Sequence, residues 1–303
     1  MATNLADRQM DMVRRANIPV FETPYRCVRA VNALVKYHHF LDNKKHGGSE
    51  EQGRPRASLT ESVPATGSLL ASLRPEVSVR KDGHHVLTEL EAHPILQSCG
   101  IRVPRSGLAH DEREALAIAE EIGYPVVVKV ESPDILHRSD AAAIRLGIRT
   151  SEELLNAYHQ VTENARRYDA QARLKGVSVV EMLPEGGVEC LIGTLRDADF
   201  GWMVMFGLGG VFVEVLRDVS MRVTPLTHLD AQAMVEEIRG YPILHGARGR
   251  EEADVAALID SLLNVSRFLE EYGEQIVEFE INPLVVFPKG KGAVAADCLL
   301  VLK

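Results

Sequence analysis

Paired cysteines, an excess of positive charge, long apolar runs and the common phosphate-loop motifs are all missing from this 303-residue chain. Only Cys27, Cys99, Cys190 and Cys298 occur, and none forms a CxxC or CxxxC pair. That spacing excludes a zinc knuckle or dithiol redox motif, and it leaves reduced thiols packed as small hydrophobes in a cytoplasmic protein. Lys and Arg number 34 against 43 Asp and Glu, a net charge of −9. With no basic stripe, the balance argues against a nucleic-acid partner but leaves polyphosphate substrates open. No uncharged run approaches the ~18–20 residues of a membrane span, and the opening MATNLADRQMDMVRR has no apolar core of a signal peptide. Neither GxxxxGK[ST] nor GxGxxG is present, which excludes a dinucleotide-dependent dehydrogenase. What remains, 46% hydrophobic and 25% charged, is the composition of a globular protein. Its length predicts two domains, or one domain of two lobes.

Residues 46–85 carry Gly, Ser, Pro and charge with no sustained period, and they read as a flexible linker. In residues 1–45, a strand-like 18–21 precedes an amphipathic helix with Val28, Val31, Leu34 and Val35 at i, i+3, i+6 and i+7. About 45 residues is near the lower limit for an independent core, so this piece is expected to dock on something else. Beyond the linker the pattern is regular. Thr88-Glu89-Leu90-Glu91 is a capping box opening a helix that Gly100 closes, with Pro94 expected to kink or fray it. A helix over 111–122 places Ala115, Leu116, Ala119 and Ile122 on one face. The β-branched run 125–130 suits a strand buried on both faces. A strand at 144–148, a helix at 151–168 and a strand at 176–183 complete a first α/β lobe. Strands are expected in VECLIGTL, GWMVMF and VFVEVL, helices over 230–239 and 252–272, and two final strands over 275–287 and 292–302.

The last hairpin holds the densest chemistry. Glu278, Glu280 and Asn282 alternate with apolar residues and share one face of a strand. If the turn is the two-residue Lys289-Gly290, cross-strand partners sum to 579 and Asn282 faces Asp297. Carboxylates and an amide with no basic neighbour suit Mg²⁺, which takes few protein oxygens plus substrate phosphates. A solvated acidic face on an edge hairpin fits the same pattern. Lys129 ends an apolar strand and is expensive to bury without an anion. A phosphate is one candidate, and Glu131 or Asp134 is the plainer one. His137, in the polar loop that follows, can act as a phosphoryl acceptor or simply be a surface residue. Gly209 and Gly210, in FGLGGV, permit close backbone approach to a ligand, or merely a tight connection between strands.

Five segments, GYPVVVKVESPDILHRSD, VVEMLPEGGVECLIGTLRDADFG, MFGLGGVFVEVLRDVSMRVTPL, GARG and EFEINPLVV, occur in order. Together they resemble the ATP-grasp domain of ADP-forming acetate and acyl-CoA synthetases, relatives of the succinyl-CoA synthetase β chain. The resemblance covers about residues 87–303 and implies a two-lobed α/β fold of the α+β ATP-grasp type. The domain would run over 86–303, with lobes of about 86–180 and 181–303. The early IPVF and TPYR resemble the end of the CoA-ligase domain in fused members, so residues 1–45 would be a remnant of it. The rest of that half, including its CoA-binding domain, would come from a partner subunit in a cytoplasmic hetero-oligomer.

By resemblance, Lys129 contacts nucleotide phosphates, Glu181 and Met182 hold adenine and ribose, and Glu189 is a second nucleotide-side acid. Gly209 and Gly210 fall in the nucleotide region. His137 relays phosphoryl between the partner and ADP, Glu280 steadies the phosphohistidine, and Asn282 and Asp297 bind Mg²⁺. The family follows its SD pair with a small residue and two glycines, whereas Asp140 here precedes Ala141-Ala142-Ala143. If a glycine there has positive φ, alanine costs roughly 1–2 kcal/mol. The resemblance therefore implies a nucleotide-binding synthetase subunit using ATP or ADP, or a catalytically impaired remnant of one. It leaves open the acid activated and the choice between ADP and GDP.

Overall fold

In an extended chain, successive side chains face opposite ways, and the run Val126–Glu131 uses both directions. Val126, Val128 and Val130 enter an apolar core with Ala115, Ala119, Leu154, Ala157 and Val161. Val127, Lys129 and Glu131 turn the other way, and all six residues are buried. A computed structural model describes residues 83–303, apart from 211, 212, 214, 215 and 250. The expected remnant at 1–45 and nearly all of the expected linker lie outside the described residues.

The elements in chain order are β1 (His85–Leu87), α1 (Glu89–Ser98), β2 (Ser106–Ala109), α2 (Glu112–Ile122), β3 (Val126–Glu131) and β4 (Ile144–Ile148). Next come α3 (Ser151–Tyr168), β5 (Gly176–Glu181), β6 (Val188–Asp197), β7 (Gly201–Leu208) and β8 (Val219–Val223). They are followed by α4 (His228–Glu237), α5 (Tyr241–Leu244), α6 (Val255–Tyr272), β9 (Ile276–Val286), β10 (Ala293–Ala295) and β11 (Cys298–Leu302). Two antiparallel sheets result. The smaller has the order β2-β5-β3-β4 and packs against α2 and α3. The larger runs β1-β11-β9-β6-β7-β8, with β10 also on β9. Its core joins Ile192, Phe206 and Leu208 to Met234 of α4, Leu258, Leu262 and Leu269 of α6, and Ala92, Ile95 and Leu96 of α1.

Local chemistry sets most boundaries. Asp111 and Thr150 cap α2 and α3 by accepting the N–H groups of Glu114 and Glu153. At α1, Thr88 N donates to Glu91 Oε2 at 2.8 Å, the back half of the capping box. The helix passes through Pro94 as one element. Pro94 is exposed, and its missing donor affects only the carbonyl one turn back.

Three expectations change. Of the strand anticipated in VFVEVL, Val213 is helical and Leu216 lies in a turn, while the other four valine, phenylalanine and glutamate positions lie outside the described residues. Arg217, at φ 49°, reverses the chain, and the strand that pairs with β7 is β8. A short apolar run does not by itself separate strand from helix. The last strand divides into β10 and β11, leaving Ala296 and Asp297 between them. Finally, α4 starts at His228, because Thr227 caps Asp230 N, and α6 starts at Val255, because Asp254 caps Ala257 N.

Candidate nucleotide site

The outward face of β3, the first turn of α1 and the gap between β10 and β11 converge where the two sheets meet. Lys129 Nζ donates to Glu89 Oε1 at 2.9 Å, Glu89 Oε2 at 3.0 Å and the Ala296 carbonyl at 3.0 Å. Arg138, from the loop after β3, donates through Nε to the Val130 carbonyl at 3.0 Å. Its Nη1 donates to both Asp297 oxygens at 3.1 and 3.2 Å and lies 3.6 Å from Glu89 Oε2. Its Nη2 reaches Glu131 Oε1 at 3.4 Å. Two cations thus face three carboxylates in a buried cluster. Burial is tolerable only because each charge has an opposite neighbour.

The acids respond differently. Burial pushes Glu89 up, but the Lys129 ammonium, the His93 ring and Arg138 outweigh it and hold the carboxyl well below the usual range. Burial pushes Glu131 upward despite Arg138, and its Oε2 has no hydrogen-bond partner among the described residues. Asp297 is also raised by burial, against the pull of Arg138. Its side chain remains 30% exposed, against 0% and 1% for Glu89 and Glu131, so Asp297 is the acid that solvent reaches. Asp297, Glu131 and Glu89 keep Arg138 firmly protonated although burial opposes it.

The partner of Lys129 is therefore Glu89, not Glu131 or Asp134. Asp134 is engaged elsewhere, accepting Arg173 N and Nε at 2.8 Å each. The hairpin register is the one the two-residue turn implies. Lys291 N closes the turn on Pro288 O at 2.9 Å, and Asn282 N donates to Asp297 O at 3.0 Å. The two side chains nevertheless part company. Asn282 Nδ2 donates to Glu280 Oε1 at 3.0 Å, while Asp297 turns to Arg138. These carboxylate and amide oxygens are the hard donors that Mg²⁺ takes alongside substrate phosphates. Asp297 would have to exchange Arg138 for the ion.

Glu181 ends β5 and receives Arg105 Nε at 3.1 Å, Arg105 N at 3.2 Å and Arg105 Nη2 at 3.2 Å. The Arg105 hydrogen bonds hold its carboxyl below the usual range. Met182 N donates to Pro125 O at 3.3 Å, tying this connection to the start of β3. The Glu189 carbonyl accepts Gly209 N at 2.8 Å, and a Cβ on Gly209 would come within 3.2 Å of Glu189 Cβ. Gly210 follows at φ 60°. These three residues therefore form one close-packed corner of β6 and β7. His137 is exposed, and no side chain among the described residues hydrogen-bonds its ring. The loop beyond it folds back through Ala143 N to Arg138 O at 2.8 Å and Val130 N to Ala143 O at 3.0 Å. Ala142, within that turn, has φ 49°.

Glu89, Arg105 and Arg138 were not anticipated at the site. For Glu89 a signal existed: with Ala92, Ile95 and Leu96 it completes the i, i+3, i+6, i+7 stripe that α1 buries. An acid on such a stripe needs a cationic partner. Arg138 lies in the polar loop after β3, and nothing local in the sequence shows that it is buried.

The chain matches the ATP-grasp domain family over residues 78–302. It belongs to that family. Over 225 residues it is 46% identical to the β subunit of Pyrococcus furiosus acetate–CoA ligase (ADP-forming) II, covering 74% of this chain and 95% of that subunit. It is 37% identical over 294 residues to Archaeoglobus fulgidus acetate–CoA ligase (ADP-forming) I, covering 97% of this chain and 40% of that longer enzyme. Among solved structures, a Candidatus Korarchaeum cryptofilum dinucleotide-forming acetyl-coenzyme A synthetase 1, solved with coenzyme A and Ca-AMPCP, superposes with a TM-score of 0.69. That chain is 43% identical, with 72% of this chain and 93% of that one covered. The smaller and larger antiparallel sheets are accordingly the two lobes of an ATP-grasp domain, and the charged cluster lies between them. The expected first lobe of about 86–180 is corrected at its start: β1 pairs with β11 and α1 buries Ala92, Ile95 and Leu96 in the core of the larger sheet, so residues 85–98 belong to the second lobe. No helix among the described residues is long and apolar enough to cross a membrane.

Proposed function

We propose that this chain is the nucleotide-binding subunit of an ADP-forming acyl-CoA synthetase, which converts acid, ATP and CoA to acyl-CoA, ADP and phosphate. A cytoplasmic partner subunit would supply the CoA-binding half and form a hetero-oligomer with it. The supporting observation is Lys129 on the first lobe, held 3.0 Å from the Ala296 carbonyl beside Asp297 of the second. A cation and a solvent-reached acid from opposite lobes meet at one point, as binding of a metal-bearing polyphosphate requires. Mg²⁺, held by Asp297 and Asn282, would supply positive charge to the phosphates. Lys129 adds charge from the other lobe, and the Glu181–Met182 connection and the Glu189–Gly209–Gly210 corner border the nucleoside end. A neutral His137 nitrogen attacks the γ-phosphorus with its lone pair. The N–P bond forms as the bond to the ADP oxygen breaks, and ADP leaves with that electron pair. Glu280 steadies the phosphohistidine until the partner takes the phosphoryl group.

A second reading, nucleotide binding without transfer, is favoured by Ala142 at positive φ where a phosphate loop would close. One pair of measurements tests both. Saturating Mg·ADP at 100 times its Kd should stabilise the chain by about 2.7 kcal/mol, and the absence of any shift in a thermal scan would sink both readings. With γ-labelled ATP, an acid-labile, base-stable adduct that disappears on adding ADP and is lost in His137→Ala supports transfer. Binding without label supports the second reading.

A further inference from the structure

The proposed chemistry gives no task to Glu89 or Glu131 of the interlobe cluster, and of these two buried acids Glu89 is the one hydrogen-bonded to Lys129. An ammonium has three donors, and those of Lys129 go to the two Glu89 oxygens and the Ala296 carbonyl. A lysine reaches its target on a flexible four-carbon stem, so its direction depends on what holds the far end. Glu89 is well placed to hold it. Its helix is anchored in the core of the second lobe through Ala92, Ile95 and Leu96. One turn on, His93 Nε2 stands 3.6 Å from Glu89 Oε1, and His93 Nδ1 shares a hydrogen bond with Ser106 Oγ at 3.1 Å.

We infer that Glu89 is a positioning residue: it fixes the Lys129 ammonium at the lobe junction, and nucleotide binding by Lys129 depends on it although Glu89 does not touch the nucleotide. A phosphate oxygen arriving at Lys129 takes over one of the three donors. The remaining contact with Glu89 keeps the cation aimed. This inference rests on the nucleotide-binding reading above.

The test is a double-mutant cycle on the full chain, read as Mg·ADP affinity by calorimetry, with thermal stability followed in parallel. Glu89→Gln should weaken binding about tenfold, a size typical of coupled neighbours. Lys129→Met should weaken it at least as much, and the double variant should bind no worse than Lys129→Met alone. Losses that add, or a Glu89→Gln chain that binds like wild type while melting lower, would overturn the inference and leave the nucleotide reading standing. No binding by wild type, or no loss in Lys129→Met, would instead remove that reading and the inference with it. If Glu89→Gln does not fold, Glu89→Asp takes its place in the cycle, because it keeps the charge and draws it back by one methylene. The same non-additivity is expected, and additive losses again overturn the inference.

Discussion

Ala142 has φ 49°, and its carbonyl is held by Asn164 Nδ2 at 2.9 Å and Arg145 Nη1 at 3.3 Å. The left-handed conformation costs an L-residue roughly 1–2 kcal/mol, whereas glycine loses about 0.5–1 kcal/mol through the greater freedom of its unfolded chain. Ala142→Gly should therefore leave stability unchanged or raise it by up to about 1 kcal/mol in denaturant titration. Ala143 next door is buried and has no positive φ, so Ala143→Gly should lose stability by roughly 0.5–1 kcal/mol or more. A loss at both positions would mean that the turn imposes no strain on alanine. If Ala142→Gly also raises phosphoryl labelling of His137, the strain lies on the functional path.

Within β3 the alternation places Lys129 and Glu131 on one face, yet Glu131 and the Glu89 that faces Lys129 are poised oppositely. Glu89 is held low and so stabilises the fold when ionised; that contribution is present above the ordinary carboxylate range and fades as pH falls through its depressed folded value. Glu131 is raised by burial. Its ionised form costs stability at neutral pH, and the cost disappears as pH falls through the carboxylate range. Glu131→Gln should accordingly stay within about 1 kcal/mol of wild type at pH 7, or exceed it. Glu89→Gln should lose roughly 3 kcal/mol or more, as when one member of a buried pair is removed. Denaturation at pH 7 and pH 4 checks the sign: any advantage of Glu131→Gln should shrink at the lower pH.

Across the whole molecule the cluster joins lobes whose hydrophobic cores are otherwise separate. Apolar replacement of a complete buried ion pair is often neutral for stability. Lys129→Met combined with Glu89→Leu should therefore keep the fold within about 1 kcal/mol while Mg·ADP binding falls; a double variant that unfolds would show the cluster to be structural first. Legibility follows the range of the forces involved. The elements α3, β4 and the β9–β10 register could be read from the chain because caps, period and a two-residue turn act locally. The strand expected in VFVEVL could not, since a short apolar run fits several outcomes. Glu89 escaped notice because its place in the first turn of α1 and its burial against a lysine 40 residues away are separate facts, and only the first is written locally. The final hairpin has one more property of this kind. Three residues of β10 separate the loop after Phe287 from Ala296 and Asp297, and a backbone carbonyl supplies one of the contacts to Lys129. Side-chain changes at 296 leave that contact intact. A one-residue insertion or deletion in β10 would instead exchange the two faces of everything that follows, sending Asp297 away from Arg138. This corner of the molecule can absorb changes in identity, but not changes in length.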